Sequence, residues 1–395
     1  MIAVVFWLCV TFIVYTYAGY PLLVSLLARL RPRKGPYPPA RPSVTLLIAA
    51  YNEESVIGQK IENCLALDDV GDPPQILVAA DGSEDATLDI VRAYASRGVE
   101  LSHAPARRGK AAALNHALSR ARGDVVVFSD ANNLYQADTL RELVAPFADP
   151  VVGAVTGAKL IARGDESLGD SEGLYWKYES FIKRQETRLG CCVGVAGEVF
   201  AIRRELFEPP PENVINDDFF LAMRIVKRGY KVVYAPRARS IERVSPSARD
   251  EMARRARIVA GRYQALALAH RLLPLRRPLV VWQIVSHKFM RPLVPFAMAG
   301  ALLANLAAVM RVAPAGAFGF LRLASPANWM LLCLQAGFYG LAWVGGRAER
   351  TGVLGKLLYI PTFLVNSNLA AVIGLFRFVF GRQTPLWERV QRRTS

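Results

Sequence analysis

Histidine and cysteine are scarce in this chain, which has four histidines and five cysteines among its 395 residues. Both residue types are scattered, and the cysteines lack the spacing of a metal site. An odd, scattered set of cysteines does not build a disulfide framework and is typical of a reducing cytoplasm. The sequence therefore argues against a His/Cys metal centre and against a disulfide-stabilised secreted domain.

Acidic residues are also in deficit, with 33 Asp and Glu against 49 Lys and Arg, for a net charge of +16. A basic chain suggests nucleic-acid binding, but here the arginines lie beside apolar segments and no recognition motif accompanies them. Basic residues that flank apolar segments mark the cytoplasmic side of a membrane. We therefore expect membrane lipid, and no nucleic acid, among the partners.

Long apolar runs without charge are abundant, and each can cross a hydrocarbon core of about 30 Å. The first lacks the basic start of a signal peptide and exceeds the roughly 7–15 apolar residues of one, so we expect a membrane span. If the first span leaves the soluble part of the chain inside, three more spans place the C-terminal tail outside. Tail arginines such as Arg382 and Arg389, however, favour the inside. Pro361 and Asn368 predict that the last run is broken or re-entrant. The runs are 2–28, 292–310, 323–346 and 357–376.

Apolar β-branched segments alternate with helical ones between the first two runs. Strands are predicted at 43–50, 75–80, 124–129 and 151–156. This alternation favours a parallel, doubly wound α/β sheet, in which ligands bind outside the carboxyl ends of the strands. Further on, an arginine-rich amphipathic helix at 248–272 is typical of a segment on an anionic membrane surface.

Three polar clusters stand out in the part of the chain between the apolar runs. Two directly follow predicted strands, and the third begins a predicted helix. Carboxylates at strand ends can hold a nucleoside, a hard metal ion and a reacting hydroxyl, which is the equipment of an enzyme with an activated, phosphate-bearing donor. The clusters are Asp81-Gly82-Ser83, Asp130-Ala131-Asn132 and Asn216-Asp217-Asp218.

Together with the segment at 42–54 (PSVTLLIAAYNEE), these clusters resemble the membrane-bound family 2 glycosyltransferases. That family includes cellulose, hyaluronan and poly-N-acetylglucosamine synthases and bacterial exopolysaccharide glycosyltransferases. The resemblance covers roughly residues 41–263. It implies a Rossmann-like nucleotide-diphospho-sugar transferase domain of the GT-A type plus transmembrane helices, and a nucleotide-sugar donor, which we expect to be UDP-linked.

The resemblance implies a nucleotide pocket lined by Ala49, Tyr51 and Glu53, with Tyr51 near the base and Glu53 on the ribose. The structural alternatives are that Tyr51 caps the sheet and that Glu53 supports the next helix. Asp81 is implied to accept a hydrogen bond from the base, or else it bonds its own turn. Lys110 lies at the N-terminus of a predicted helix, where its ammonium and the backbone N–H groups can bind phosphate. The alternative is that Lys110 is a solvated surface lysine.

The resemblance also places a metal site and a general base. Asp130 and Asn132 occupy the Asp-X-Asp position of the family, and Mg²⁺ or Mn²⁺ prefers such oxygen ligands. Here the second aspartate is an asparagine, and a plain Asp/Asn turn is the alternative. Asp218 corresponds to the general base and Asp217 to its acidic neighbour, although two acids at a helix start also serve as caps.

The Gln-X-X-Arg-Trp motif of the processive synthases is only partly present. Arg257 remains as a candidate clamp for the diphosphate, whereas Arg254 and Ile258 replace the glutamine and the tryptophan. This favours transfer of one sugar over processive polymerisation. Gly194 and Gly197 correspond to the loop near the acceptor, where they let backbone approach a sugar or merely form a turn.

The sequence thus predicts an inverting glycosyltransferase of the inner (plasma) membrane, multi-pass, with a saccharide or lipid-linked acceptor. The alternatives are a processive polysaccharide synthase and a catalytically inactive scaffold subunit, which only Asn132 favours. A transporter is disfavoured because no ionisable residue lies inside the apolar runs. The expected parts are a transmembrane helix (1–28), a linker (29–41), a cytoplasmic glycosyltransferase domain (42–240), basic amphipathic or interfacial helices (241–291), a C-terminal transmembrane region (292–380) and a basic tail (381–395).

Overall fold

The structure is a computed structural model. It describes residues 1–32, 35, 37–38, 41–68, 70–161, 168–242, 247–311, 319–347, 352–384 and 386. The tail arginines Arg389, Arg392 and Arg393, and with them most of the predicted basic tail, lie outside the described residues.

One mixed sheet forms the centre of the soluble part. Within the described ranges it has eight strands in the order 3-2-1-4-7-6-8-5. Strands 2, 1 and 4 are parallel, as predicted, and strand 3, which was not predicted, also runs parallel to strand 2, but strands 7 and 5 run antiparallel to their neighbours. The sheet is therefore mixed, with a parallel part formed by the predicted alternation and antiparallel strands added by later segments. The strands are β1 (Val44–Ala50), β2 (Gln75–Asp81), β3 (Val99–Ala104), β4 (Val125–Asp130), β5 (Asn133–Tyr135), β6 (Val152–Ile161), β7 (Phe200–Arg203) and β8 (Lys231–Glu242).

Helices cover both faces of the sheet and form the apolar part of the chain. Two π-helical turns, Tyr15–Gly19 and Val285–Phe289, interrupt the longer helical stretches. The α-helices of the described residues are α1 (Ile2–Val14), α2 (Tyr20–Arg29), α3 (Ile57–Leu65), α4 (Thr87–Ala93), α5 (Lys110–Leu118), α6 (Thr139–Val144), α7 (Leu168–Leu189), α8 (Asp217–Lys227), α9 (Ala248–Ala267), α10 (Ala269–Leu272), α11 (Pro278–Ile284), α12 (Val294–Val309), α13 (Gly319–Arg322), α14 (Ala327–Gly345) and α15 (Gly352–Val379).

The β1 strand shows why the sheet lies at the centre. All seven of its residues are buried, because successive side chains point to opposite faces and both faces are covered. Leu47 and Ala49 pack in one core with residues of α5 and α8. Leu46 and Ile48 pack in the other with residues of α3 and α6. The carboxyl end of β1 is thereby fixed between two apolar layers.

Three helical stretches among the described residues are long enough and apolar enough to cross a membrane. They are residues 2–29, 278–309 and 360–379. The sequence predicted four. The predicted run at 323–346 is helical as α14, but it is not one of the three stretches.

The predicted break in the last apolar run is wrong, since α15 is one continuous helix with Pro361 inside it. Next to the proline, the Thr362 hydroxyl donates to the Leu358 carbonyl at 2.7 Å. One and a half turns later, the Asn368 amide donates to the Leu364 carbonyl at 2.8 Å. These polar side chains therefore bond within the helix, as such side chains do in apolar helices.

Helix α9 packs along α15 over much of its length. A Cβ atom added at Gly374 would lie 2.8 Å from the Ala256 carbonyl oxygen, so the two backbones approach closely there. Val259 and Tyr263 are buried in the same contact. The arginine-rich helix thus buries one face against α15, and a position on the membrane surface stays a prediction.

Candidate active site

A cavity of about 1600 Å³ opens at the carboxyl ends of β1 and β4 and extends between α9 and α15. Pockets for one small molecule typically measure about 300–1000 Å³, so this cavity has room for two substrates. Ten of the twelve predicted site residues line it, although they come from segments far apart in the chain. They are Ala49, Tyr51, Glu53, Lys110, Asp130, Asn132, Gly197, Asp217, Asp218 and Arg257.

The loops that follow β1 and β2 are fixed to each other by short polar contacts. Asn52 has a positive φ of 51°, a conformation that asparagine tolerates better than most residues. Its backbone N–H donates to the Ser83 hydroxyl at 3.1 Å, and its side-chain oxygen accepts from the Glu84 N–H at 2.8 Å. Gly82 has a φ of +63°, and a Cβ there would lie 2.7 Å from the Arg107 nitrogen. The turn therefore requires glycine.

Asp81 is one of the two predicted residues that the structure does not place on the cavity wall. It is fully buried, and its two carboxylate oxygens accept from the backbone N–H groups of Arg108 and Gly109, each at 2.8 Å. The carboxylate thereby holds the loop that leads into α5. Lys110 is the first residue of that helix. The predicted contact of Asp81 with a base stays a prediction.

Tyr51 lies beside a cation that the sequence did not single out. The Arg107 guanidinium stands 4.0 Å from the centre of its ring, which is cation–π geometry. Glu53 is held at its backbone, where its N–H donates to the Thr87 hydroxyl at 2.8 Å. Both side chains line the cavity where β1 ends. This is the position at which α/β sheets bind nucleotides.

Lys110, the first residue of α5, and Asp130, the last residue of β4, form an ion pair on the cavity wall. Burial lowers the pKa of Lys110, but the carboxylates of Asp130, Asp217 and Asp218 raise it well above its usual range. The ammonium therefore stays charged. An ammonium at the first residue of a helix, on the wall of this cavity, is placed to bind a phosphate group.

Asp218 lies in the first turn of α8, directly after Asp217. Burial and the neighbouring Asp217 charge raise the pKa of Asp218 to about 6, against the lowering effects of the Phe219 N–H and Lys110. The Phe219 N–H donates to one carboxylate oxygen at 2.7 Å. A carboxylate poised near neutral pH is suited to accept a proton.

The pair Asp130 and Asn132 fits a divalent cation that arrives with its substrate. Both line the cavity after β4, and they supply one carboxylate and one amide oxygen. Among the described residues, no group of three or more His, Cys, Asp or Glu could hold a metal ion. Magnesium-type ions commonly use one or two carboxylates and complete their shell with substrate phosphates. The donor set therefore fits such an ion only together with a diphosphate.

Of the last two predicted residues, Arg257 lies on the cavity wall and Gly194 does not. Arg257 lines the cavity and makes no ion pair with any residue that the structure describes, so it can clamp an anion. Gly194 is the second predicted residue not placed on the wall. A Cβ there would lie 3.1 Å from the Lys288 Nζ atom, so the glycine packs behind the cavity against that lysine.

Three further wall residues were missed by sequence reasoning, of which Lys159 is buried and the other two, Glu198 and Trp176, are partly buried. Lys159 pairs with Glu198 at 3.4 Å, and both line the cavity beside Trp176. The indole nitrogen of Trp176 is buried without a hydrogen-bond partner in the described part of the chain. The Gly-Glu pair at 197–198 was the available signal for Glu198, but nothing in the sequence links Lys159 and Trp176 to it.

Residues 40–260 match the protein family described as "Glycosyltransferase like family 2". The beta-monoglucosyldiacylglycerol synthase of Synechocystis sp. is 31% identical over 199 residues, which are 48% of this chain and 42% of that protein. The poly-beta-1,6-N-acetyl-D-glucosamine synthase of Staphylococcus aureus is 28% identical over 204 residues, or 49% and 48% of the two chains. This chain thus spans about half the length of these relatives.

A solved structure is similar over nearly the whole chain. It is the mannosyltransferase PcManGT from Pyrobaculum calidifontis, in complex with GDP-Man and Mn²⁺. The TM-score is 0.71 at 25% sequence identity, and the match covers 97% of this chain and 100% of that one. The likeness confirms the predicted Rossmann-like fold of the GT-A type.

Proposed function

This chain belongs to glycosyltransferase-like family 2, as the sequence predicted, and we propose that it transfers a sugar from a nucleotide-sugar to a membrane-associated acceptor with inversion. The acceptor is a saccharide or a lipid-linked molecule, in polysaccharide or glycolipid synthesis. One observation carries the proposal. The cavity brings Lys110, Asp130 and Asp218 together at the carboxyl ends of the strands, with room for donor and acceptor.

In the proposed reaction Asp218 takes the proton of an acceptor hydroxyl. The hydroxyl oxygen forms a bond to the anomeric carbon while the bond from that carbon to the diphosphate breaks, and the electron pair leaves with the diphosphate. Lys110 and Arg257 hold the diphosphate and stabilise its developing charge. A divalent ion, when held by Asp130 and Asn132, would neutralise further phosphate charge.

The donor is proposed to be UDP-linked and the ion to be Mg²⁺ or Mn²⁺. The Pyrobaculum mannosyltransferase was solved with GDP-Man and Mn²⁺, so a GDP-sugar is the necessary comparison. The three apolar stretches support a multi-pass position in the inner membrane, with the sheet domain in the cytoplasm. The two relatives are named as a glycolipid synthase and a polysaccharide synthase.

The test is a screen of UDP- and GDP-sugars with the purified full chain in detergent, with Mg²⁺ or Mn²⁺. Release of nucleoside diphosphate is measured first without acceptor and then with membrane lipid extract. We expect one donor to be turned over, and turnover to be lost in Asp218→Asn. The anomeric configuration of the product is then compared with that of the donor by NMR. A wild-type chain that turns over no donor contradicts the proposal and favours the inactive scaffold.

A further inference from the structure

A second group of charged residues, none of them assigned to the donor, lines the same cavity. Lys183 on α7, Lys288 on the π-helical turn and Arg291 just after it all line the cavity wall. We call these three residues the basic cluster. None of them has a role in the reaction proposed above.

The two lysines of the basic cluster converge on one point. A Cβ added at Gly194 would lie 3.1 Å from Lys288 Nζ and 3.3 Å from Lys183 Cε. Neither ammonium forms an ion pair with any residue in the described ranges. Two like charges in a partly buried place repel each other unless an anion neutralises them.

The carboxylates of the neighbourhood are already engaged elsewhere. Glu179 accepts from Arg291 and faces one ring nitrogen of His287 at 3.1 Å. Glu186 faces the other ring nitrogen at 2.7 Å and accepts from the Tyr20 hydroxyl at 2.5 Å. Both carboxylates are thus engaged in hydrogen bonds with these partners, and within the described ranges neither forms an ion pair with Lys183 or Lys288. The Lys183 ammonium lies 5.3 Å from the centre of the Tyr234 ring, so the contact shown for it is an aromatic face and not a carboxylate.

Arg291 adds a specific signal for a ligand. Its side chain is buried, with the residue only 8% exposed, yet its Nε and Nη2 groups have no hydrogen-bond partner in the part of the chain that the structure describes. Buried N–H groups without a partner are costly and uncommon in folded proteins. The Nε and Nη2 groups form one edge of the guanidinium, and that edge binds phosphate or carboxylate through two parallel hydrogen bonds.

The cavity continues from the basic cluster onto an apolar wall. Phe363, Leu364, Ala371 and Phe376 of α15 line it, and they belong to a stretch apolar enough to cross a membrane. Contact with an apolar wall does not stabilise a free phosphate ion. It does stabilise a bound lipid, because the acyl or prenyl chain of the lipid loses contact with water there.

The basic cluster is also close to the proposed general base. Gly194 lies against Lys288, and Gly197 lies against Asp218. Three residues of chain span at most about 11 Å, so a short polar headgroup is enough to connect the two places. For a lipid whose headgroup carries a hydroxyl beyond the phosphate, such as a phosphatidylglycerol, an anion at the basic cluster would therefore place that hydroxyl near Asp218.

We propose that the acceptor is a membrane lipid that carries a phosphate group. Lys183, Lys288 and the Nε–Nη2 edge of Arg291, which has no partner among the described residues, hold the phosphate, and the chain of the lipid lies along α15. The role of this lipid as the acceptor rests on the proposed function, whereas its binding to the protein does not.

Binding is measured on the delipidated, purified full chain in neutral detergent, by thermophoresis. The probes are a phosphatidic acid, a phosphatidylglycerol, a short polyprenyl phosphate, a diacylglycerol and inorganic phosphate. We expect the phosphate lipids to bind at least tenfold more tightly than diacylglycerol and inorganic phosphate. The preferred phosphate lipid distinguishes a phospholipid from a prenyl phosphate. Equal affinity for diacylglycerol overturns the proposal, and so does inorganic phosphate that binds as tightly as the lipids.

The variants Lys183→Gln and Lys288→Gln are each expected to weaken binding of the preferred lipid about tenfold, because each removes one charge-assisted contact. Lys288→Arg keeps the charge and should restore most of the affinity. Lys177→Gln, on the same helix as Lys183 but exposed, is the matched control and should bind as the wild type does. Unchanged affinity in both glutamine variants overturns the assignment of the site. Donor turnover by the wild type is measured separately, so a failure of the proposed function is distinguishable from a failure of lipid binding.

Discussion

Gly197 lies directly against Asp218. A Cβ added at Gly197 would stand 3.2 Å from the Asp218 Cβ and 3.3 Å from its Oδ2 atom, which is closer than most real Cβ contacts. Gly197 begins a short 3₁₀ turn on the cavity wall, and Asp218 faces it from the start of α8. The absence of a side chain at residue 197 therefore leaves space beside the carboxylate that is proposed to take the proton.

The first prediction follows from this contact. Gly197→Ala should lower the rate of transfer about 10- to 100-fold, because a small displacement of a catalytic group has effects of this size. The variant should remain folded and should bind the donor nucleotide normally. The matched control is Gly58→Ala on α3, where an added Cβ meets its nearest neighbour at an ordinary 3.7 Å. A fully active Gly197→Ala enzyme would argue that Asp218 does not act at this place.

The second prediction concerns pH. Burial and the Asp217 charge raise the pKa of Asp218 to about 6, and a general base works only when it is deprotonated. The value of kcat/KM should therefore fall as the pH drops through about 6, approaching tenfold per pH unit below it. A pH profile of kcat/KM between pH 4.5 and 8.5 measures this, with pH-stable folding checked by circular dichroism.

The matched variant for the pH profile is Asp217→Asn. It removes the like charge that helps to raise the pKa of Asp218, so the acid limb should move to lower pH. A limb that stays in place, or that moves to higher pH, would show that another group controls it. Asp218→Asn should abolish the limb together with about 10²- to 10⁴-fold of the rate.

The strands that sequence reasoning predicted share one property. Each, like 44–50 in β1, is an apolar run that contains β-branched residues. Such a run is needed because both faces of the sheet are covered, so side chains on either face are buried. The β8 strand was missed because it contains Pro236 and Arg237, and proline usually argues against a strand interior. Its pairing with β6 is irregular at this point, between Thr156 and Ala158, which accommodates the proline.

The candidate site was predictable where it depends on strand ends, because parallel strands present their carboxyl ends at one edge. Asp130 and Lys110 meet there as that rule implies. Asp81 obeys the same rule but is turned inward by two backbone N–H groups, which no local pattern reveals. The basic cluster was not predictable at all, since Lys183 and Lys288 meet only through the packing of distant helices.

The third prediction separates two roles of Asp81. Its carboxylate accepts two backbone N–H groups in a buried place, and Asp81→Asn turns one acceptor into a donor. We expect a loss of about 1–3 kcal/mol in the free energy of unfolding, measured by denaturant titration. Because the loop carries Lys110, binding of inorganic diphosphate should weaken as well. Loss of nucleotide binding with diphosphate binding and stability unchanged would instead support a direct contact with the base.

The fourth prediction concerns the length of the product. Arg254 stands where processive relatives have glutamine, and it is held by Glu251 at 3.0 Å and Glu242 at 3.6 Å. It is therefore not available to support a growing polymer as that motif does. With donor in excess, mass spectrometry should show one sugar added per acceptor. A ladder of products, or a high-molecular-weight polymer from the purified chain alone, would contradict this expectation.

The last prediction concerns the divalent ion and the Lys110–Asp130 pair. The ammonium of Lys110 already neutralises Asp130, so a metal ion should bind weakly until a diphosphate draws Lys110 toward itself. Calorimetry of Mn²⁺ binding should therefore detect little affinity without nucleotide and at least tenfold more with it.

Lys110→Met should shift these two affinities in opposite directions. It removes the competing cation, so Mn²⁺ alone should bind more tightly, whereas the nucleotide should bind more weakly because its phosphate partner is lost. Asp130→Ala should abolish both Mn²⁺ binding and turnover in a folded protein, and Asn132→Asp should keep activity because it adds a carboxylate ligand. Full turnover by Asp130→Ala in excess EDTA would remove Asp130 from the metal site, and equal Mn²⁺ affinity in Lys110→Met and the wild type would show that the ion pair does not compete with the metal.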